Sequence, residues 1–328
     1  MTLPTLLITL DAGPSSRSVI EATIGAAARV VYLSDVPADE RGKALSDATV
    51  LLARDTSKEL QAGELASLSQ ARLIQFVTAG VDYIPLGDVP KGLPTACNGG
   101  AYAEPMAEHA LAMTLAALKR LLVEHAKLAG GAFDQFRPNR MLAGSVCGIL
   151  GFGGIGVATA RVLRALGAKV HAINRRGATA EPVDWIGTTA DIDRLLAESD
   201  VLVLSLPLTP ATNGLLGQRE LALMKKDAVL VNLARGEIVD EAALFTHLKE
   251  TPEFTACIDA WWIEPVRHGH FRMDHDFMSL PNVIASPHNS ASVARWRNVA
   301  LRRAVENARA AFEGGQIQHL VPPEDRMK

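Results

Sequence analysis

The chain has 328 residues, with 33 Lys plus Arg against 36 Asp plus Glu, 48% hydrophobic residues and a formal net charge of −3. That length favours two domains with ordinary cores, and a 21% charged fraction excludes a disordered or fibrous chain. The near-neutral balance gives no reason to expect nucleic acid or a membrane as partner, so any anion recognition has to be local. Cys97, Cys147 and Cys257 are too few and too scattered for a disulfide framework or a zinc site, so no metal is expected and a reducing cytoplasm fits. The opening MTLPTLLITLDAG has no basic stretch ahead of its apolar run, and no secretory signal is expected.

In chain order, residues 6–10, 30–32, 50–53 and 73–77 read as strands separated by helical stretches rich in Ala, Leu and Glu. Such alternation predicts a parallel sheet covered by helices. The pattern pauses around Pro90, Pro94 and the Asn98-Gly99-Gly100 turn. Residues 102–129 then read as one long helix, whose Met106, Ala110, Met113, Ala117 and Leu121 stripe is a packing surface. On this reading His109 and His125 of that helix, like His171 and His247, are ordinary packing or surface residues. A second α/β unit with more strands follows Gly130-Gly131, with strands at 146–150, 170–173, 201–204, 228–232 and 255–258 and a helix over 154–166. The last element is a helix from about 290 to 312, closed by Gly314-Gly315.

Residues 141–160 carry no charge and are long enough to cross a bilayer, but their glycines have another explanation. Gly151-Phe152-Gly153-Gly154-Ile155-Gly156 is a GxGxxG loop that follows a predicted strand and opens a predicted helix. There the glycines allow a tight turn, close approach of a pyrophosphate to the backbone, and close helix–strand packing, with the phosphates at the positive end of the helix. The next strand ends in Asn174-Arg175-Arg176, where an NAD-selective site carries Asp or Glu for the ribose 2′-hydroxyl. Without that carboxylate, and with two guanidiniums able to grip a 2′-phosphate, the cofactor reads as NADP or NAD with a lean towards NADPH. The alternative is a solvated turn in which Asn174 bonds an unphosphorylated ribose.

Three later segments, NLARG at 232–236, DAWWIEP at 259–265 and SPHNS at 286–290, each carry polar groups beyond a predicted strand. Together with the glycine loop, the VTAGVD segment at 77–82 and the AEHAL segment at 107–111, they resemble the D-isomer-specific 2-hydroxyacid dehydrogenase family over most of the chain. The resemblance implies an α/β fold of two doubly wound parallel-sheet domains with a cleft between them. One is a flavodoxin-like substrate domain, residues 1–98 plus 289–328; the other is a Rossmann coenzyme domain, residues 99–288. It further implies that His288 is the acid/base, that Glu264 holds its ring, and that Arg235 grips the substrate carboxylate and polarises the adjacent oxygen. Backbone amides around Thr78, Ala79 and Gly80 would complete the carboxylate site. The cofactor would lie against Gly151, Gly153, Gly154, Ile155, Gly156, Asn174, Arg175, Arg176, Leu206, Pro207, Leu233, Ala234 and His288, with Asp259 fixing the nicotinamide.

The implied activity is reduction of a small 2-oxoacid such as glyoxylate or hydroxypyruvate on its D face, or oxidation of the 2-hydroxyacid in reverse, by a cytoplasmic homodimer. Glu264 stands where formate dehydrogenases carry glutamine and Ala79 where phosphite dehydrogenases carry lysine, which argues against both activities. Trp261-Trp262 is bulkier than the family's usual pair and reads as core packing with a possible effect on the pocket. The basic loop 266–272 reads as solvated, the sharper alternative being contact with a second anionic group on the substrate. A competing function is an NAD(H)-sensing, corepressor-like binding protein of the same fold; the lack of appended tails favours the enzyme.

Overall fold

The computed structural model describes residues 3–327. The chain divides into two compact units, one formed by the chain up to Tyr102 together with the segment from Val293 onward, the other by Ala103–Ser292.

The first unit contains β1 (Thr5–Ile8), β2 (Arg29–Tyr32), β3 (Val50–Ala53), β4 (Leu73–Phe76) and β5 (Thr95–Ala96). These strands pair in parallel in the order β2-β1-β3-β4-β5, the flavodoxin-like doubly wound arrangement. Strands β1, β3 and β4 are buried along their whole length, which explains why, apart from Thr5 and Gln75, their residues are apolar without alternation. One face of the sheet, through Leu6, Ile8 and Leu52, packs on Ile20 of the helix Pro14–Ile24 and on Leu301, Ala304 and Val305 of the helix Trp296–Glu313. The other face, through Leu7, Leu51 and Ile74, packs on Leu45, Leu68 and Leu86.

The second unit contains β6 (Val146–Leu150), β7 (Lys169–Ile173), β8 (Trp185–Gly187), β9 (Val201–Leu204), β10 (Val229–Asn232), β11 (Thr255–Ile258) and β12 (Val283–Ala285). All pair in parallel in the order β12-β11-β10-β9-β6-β7-β8, a Rossmann sheet with one added strand. The strand order reverses between β6 and β9. Register places the last residues of all seven strands in one row: Ala285, Ile258, Asn232, Leu204, Leu150, Ile173 and Gly187. Whatever follows each strand therefore emerges along a single edge.

Several sequence expectations need correction. The helix expected over 102–129 is two helices, Ala103–Leu118 and Leu121–Ala129, because Arg120 takes a left-handed conformation (φ 53°) that ends the first. Met106, Ala110 and Met113 are buried as expected of a packing stripe, but Leu121 is exposed beyond that break. The last helix begins at Trp296 rather than near 290, since Arg295 is also left-handed (φ 66°); Gly314 closes it at φ 72°. The short strands β5, β8 and β12 carry too few residues for a periodic signal.

The unit boundaries follow hydrogen bonds. Trp296 Nε1 donates to Ala101 O and Arg303 Nη1 to Gly100 O, tying 100–101 into the first unit. The Asn289 and Ser290 amides donate to Asp259, tying 289–290 into the second. Residues 141–160 form a turn, β6, the glycine loop and the start of a helix; among the described residues no helix is long and apolar enough to cross a membrane.

Candidate active site

Because the row of strand ends is in register, each of the segments singled out at these strand ends begins one or two positions beyond it. Read across the sheet, Ser286–His288 follow β12, Asp259 follows β11, Leu233–Arg235 follow β10, Leu206 follows β9, the glycine loop follows β6 and Asn174 follows β7. At the usual interstrand spacing this edge is roughly 24 Å long, so a ligand that touches both ends must be extended.

The glycine loop turns directly into the helix Gly154–Ala165, with Gly153 as its N-cap. Neither a side-chain cap nor an acidic residue occupies that first turn, so its amides and the positive helix end remain available to an anion. Each glycine has its own reason. A Cβ on Gly156 would lie 2.4 Å from Gly151 O, which is the close packing of helix on strand. At Gly153 a Cβ would meet nothing within 4 Å; it would project into the open space over the helix N-terminus. The loop after β9 closes on this turn, as Ser205 Oγ donates to Gly151 O at 2.7 Å; behind it Leu206 is buried while Pro207 is exposed. These residues fit the diphosphate of a dinucleotide. Beyond β7, Asn174 Oδ1 accepts the Arg176 amide at 2.9 Å and its Nδ2 donates to Ala178 O, forming a compact turn that carries Arg175 and Arg176 at exposed positions.

At the other end of the row, His288 and Glu264 meet. His288 Nδ1 lies 2.8 and 2.9 Å from the two Glu264 carboxylate oxygens, so the ring donates Nδ1–H to them and leaves Nε2 for other chemistry. Glu264 is 6% exposed, whereas His288 is open to solvent. Burial pushes the Glu264 carboxyl up, but the His288 hydrogen bond and charge, the Trp261 amide and the charge of Arg235 outweigh it and hold the group below the ordinary carboxylate range. Arg235 is carried by a loop that Asn232 pins from within: Asn232 Oδ1 accepts the Ala234 amide and Nδ2 donates to Arg235 O. Leu233 and Ala234 are buried in that loop.

Asp259 is fully buried, and its oxygens face the loop that carries His288. Oδ1 accepts from Ser286 Oγ at 2.5 Å and from the Asn289 amide at 3.0 Å; Oδ2 accepts from the Ser290 amide at 3.3 Å. The His288 amide donates to the Asp259 carbonyl at 2.9 Å. His288 itself has φ 49°, a left-handed conformation that persists only where its surroundings fix it.

Trp261 and Trp262 do more than fill space. The Trp261 amide donates to Glu264 Oε1 and its indole Nε1–H to Ser286 O at 2.9 Å, while Trp262 Nε1 donates to Val239 O at 2.7 Å. Their rings stack or meet edge-on with Phe277. The basic loop is compensated locally: Arg267 pairs with Glu237, Arg272 with Asp274, and His268 Nδ1 accepts the Glu264 amide. In the first unit, Thr78, Ala79 and Gly80 follow β4; the Asn98 amide donates to Thr78 O, and Thr78 Oγ1 is buried without a hydrogen-bond partner.

The sequence motifs do not point to His109. It lies with its Nε2 3.0 Å from Ser286 Oγ and 3.9 Å from Asp259 Oδ1. Its place in a packing helix hid it, because helical periodicity says nothing about which strand end a side chain reaches.

Residues 111–290 match the family model described as D-isomer specific 2-hydroxyacid dehydrogenase, NAD binding domain. The chain belongs to this family. A glycerate dehydrogenase of Methylorubrum extorquens is 32% identical over 271 residues, covering 80% of this chain and 82% of that protein. A glyoxylate/hydroxypyruvate reductase B of Enterobacter agglomerans is 31% identical, covering 80% and 81%. Among solved structures, a D-isomer specific 2-hydroxyacid dehydrogenase from Xanthobacter autotrophicus Py2, in complex with NADPH and MES, superposes with a TM-score of 0.79 at 26% identity, covering 97% of this chain and 98% of that one. As a D-2-hydroxyacid dehydrogenase, the protein is an oxidoreductase that uses a nicotinamide dinucleotide.

The two glycine environments predict different failures in this dehydrogenase. Gly153→Val should fold with a near-native melting temperature, because its side chain meets open space, yet lose cofactor binding in a fluorescence titration. Gly156→Ala should instead lower the melting temperature itself, since something must shift by several tenths of an ångström. Tight cofactor binding by a folded Gly153→Val protein would contradict the placement of the diphosphate.

Proposed function

We propose that the protein reduces a small 2-oxoacid, of the glyoxylate or hydroxypyruvate kind, to the D-2-hydroxyacid, with NADPH preferred and His288 as the acid/base. The observation that carries this reading is the His288–Glu264 pair, set on the same strand-end row as the glycine loop. When bound, the nicotinamide supplies the hydride. His288 Nε2 delivers the proton to the substrate oxygen, so that the carbonyl becomes an alcohol, secondary from hydroxypyruvate and primary from glyoxylate, and takes it back in the reverse direction. Glu264, held ionised beside the ring, keeps Nδ1–H engaged and stabilises the positive charge of the ring before the proton leaves. Arg235 pairs with the substrate carboxylate. Glycerate and hydroxypyruvate chemistry is named for the relatives above, and Glu264 argues against formate as substrate.

His288→Ala should lower kcat by about 10²–10⁴-fold while cofactor affinity stays nearly unchanged, and Arg235→Ala should lower kcat and raise KM together. Nicotinamide absorbance with hydroxypyruvate and glyoxylate measures both. Near-normal turnover by His288→Ala refutes the acid/base role. Tight cofactor binding without turnover of glyoxylate or hydroxypyruvate would overturn the assigned substrate class.

The preference for NADPH rests on the Asn174-Arg175-Arg176 turn, which offers cations and no carboxylate to the ribose. One charge-assisted pair to a 2′-phosphate is worth roughly tenfold or more in kcat/KM over NADH. Equal or better efficiency with NADH sinks the preference.

We further propose a homodimer through the second unit. The helix Leu121–Ala129 buries none of its residues, and Phe133 and Phe136 beyond it are 78% and 86% exposed, with Leu121, Leu122, Leu128 and Met141 also exposed. Apolar exposure this dense over twenty-odd residues fits an interface between copies. Light scattering should give twice the chain mass, and Phe133→Asp combined with Phe136→Asp should shift it to the monomer; a monomeric wild type overturns the assignment.

A further inference from the structure

A carboxylate taken fully out of water is costly unless its oxygens are satisfied, and Asp259 achieves this almost entirely through one short loop. Ser286, His288, Asn289 and Ser290 all donate to Asp259, three of them to its carboxylate and His288 to its carbonyl. Those bonds bracket the one residue in the loop whose backbone is left-handed and whose ring does the chemistry. The Ser286 hydroxyl is the weak member. Unlike the backbone amides it is a rotor, free to point its hydrogen at any acceptor within reach.

His109 removes that freedom. The Ser286 hydroxyl donates to Asp259 at 2.5 Å, so its contact with His109 Nε2 at 3.0 Å is one in which the oxygen accepts and the ring donates Nε2–H. Once its lone pair is held in this way, the hydroxyl hydrogen is directed at Asp259, and each bond polarises the next. The helix Ala103–Leu118 sets the ring by burying Met106, Ala110 and Met113 on either side of it in sequence. The Trp261 indole in turn holds Ser286 O.

We propose that His109 is a positioning residue for this reaction: by fixing the Ser286 hydroxyl on Asp259, it holds the 286–290 loop in the conformation that presents His288. The inference rests on the reading of His288 as the acid/base. His109 touches neither substrate nor cofactor in this role.

The test compares His109→Ala with His109→Gln, whose amide N–H can donate to Ser286 Oγ in place of the ring, beside Ser286→Ala, the double variant His109→Ala/Ser286→Ala and His288→Ala. Hydrogen exchange of the peptide spanning 286–290, read by mass spectrometry on the intact chain, needs no turnover. It should rise in His109→Ala, with exchange in the strands unchanged, and return towards wild type in His109→Gln. With NADPH and hydroxypyruvate, kcat should fall about tenfold in His109→Ala, with cofactor affinity and melting temperature nearly constant, and recover most of the loss in His109→Gln. The double variant should lose no more than the worse single one, as expected of groups acting in series. Unchanged loop exchange in His109→Ala overturns the proposal, as do additive losses in the double variant or a failure of glutamine to restore the loop. If His288→Ala keeps its turnover while the loop still loosens in His109→Ala, it is the acid/base reading that has failed, and the two failures are thereby told apart.

Discussion

A parallel sheet sends every strand out through the same edge, and in the second unit register aligns all seven of those exits in one row. Residues separated by more than a hundred positions, such as Gly151 and His288, are thereby set along one line without any direct contact between their segments. The reversal of strand order between β6 and β9 opens the crevice where loops part to opposite faces, and the glycine loop is the first element on one side of it. The chemistry of the site depends on this constraint more than on any single bond: a one-residue slip in β11 or β12 would displace Asp259 or His288 from the row altogether.

Around that frame the polar groups divide the work. Glu264 is buried and holds an exposed imidazole, so the proton-carrying ring is anchored at one nitrogen and open at the other. Asp259 is buried more deeply and holds backbone rather than ring, which fixes a loop that would otherwise relax from its left-handed residue. Trp261 bridges the two arrangements, with its amide on Glu264 and its indole on Ser286. The bulk of the tryptophan pair thus reads as a scaffold for the histidine rather than as a narrowing of the pocket.

Much of this was legible in the chain. Strands such as β1, β3 and β9 are short apolar runs bounded by turns, and a GxGxxG loop between a strand and a helix states its own function. What the sequence hid has physical causes. Strand β12 has three residues and no fully buried position, too little to stand out, and Arg120 breaks a helix through a backbone conformation that its side chain does not advertise. His109 and Ser286 lie 177 positions apart and meet only because the helix Ala103–Leu118 packs against β10 and β11. A pairing of that kind is made by tertiary structure, and no local pattern encodes it.

The first unit takes its last core helix, Trp296–Glu313, from the far end of the chain, with Leu301, Ala304, Val305 and Ala308 filling one face of a sheet begun at Thr5. The second unit is contiguous and has all its strands once Ala285 has been made. During synthesis from the N-terminus, the segment that leaves the ribosome first must therefore wait with an apolar sheet face uncovered while the later segment can already fold. The order of birth and the order of completion are reversed, and the long loop closure this imposes falls on the smaller sheet.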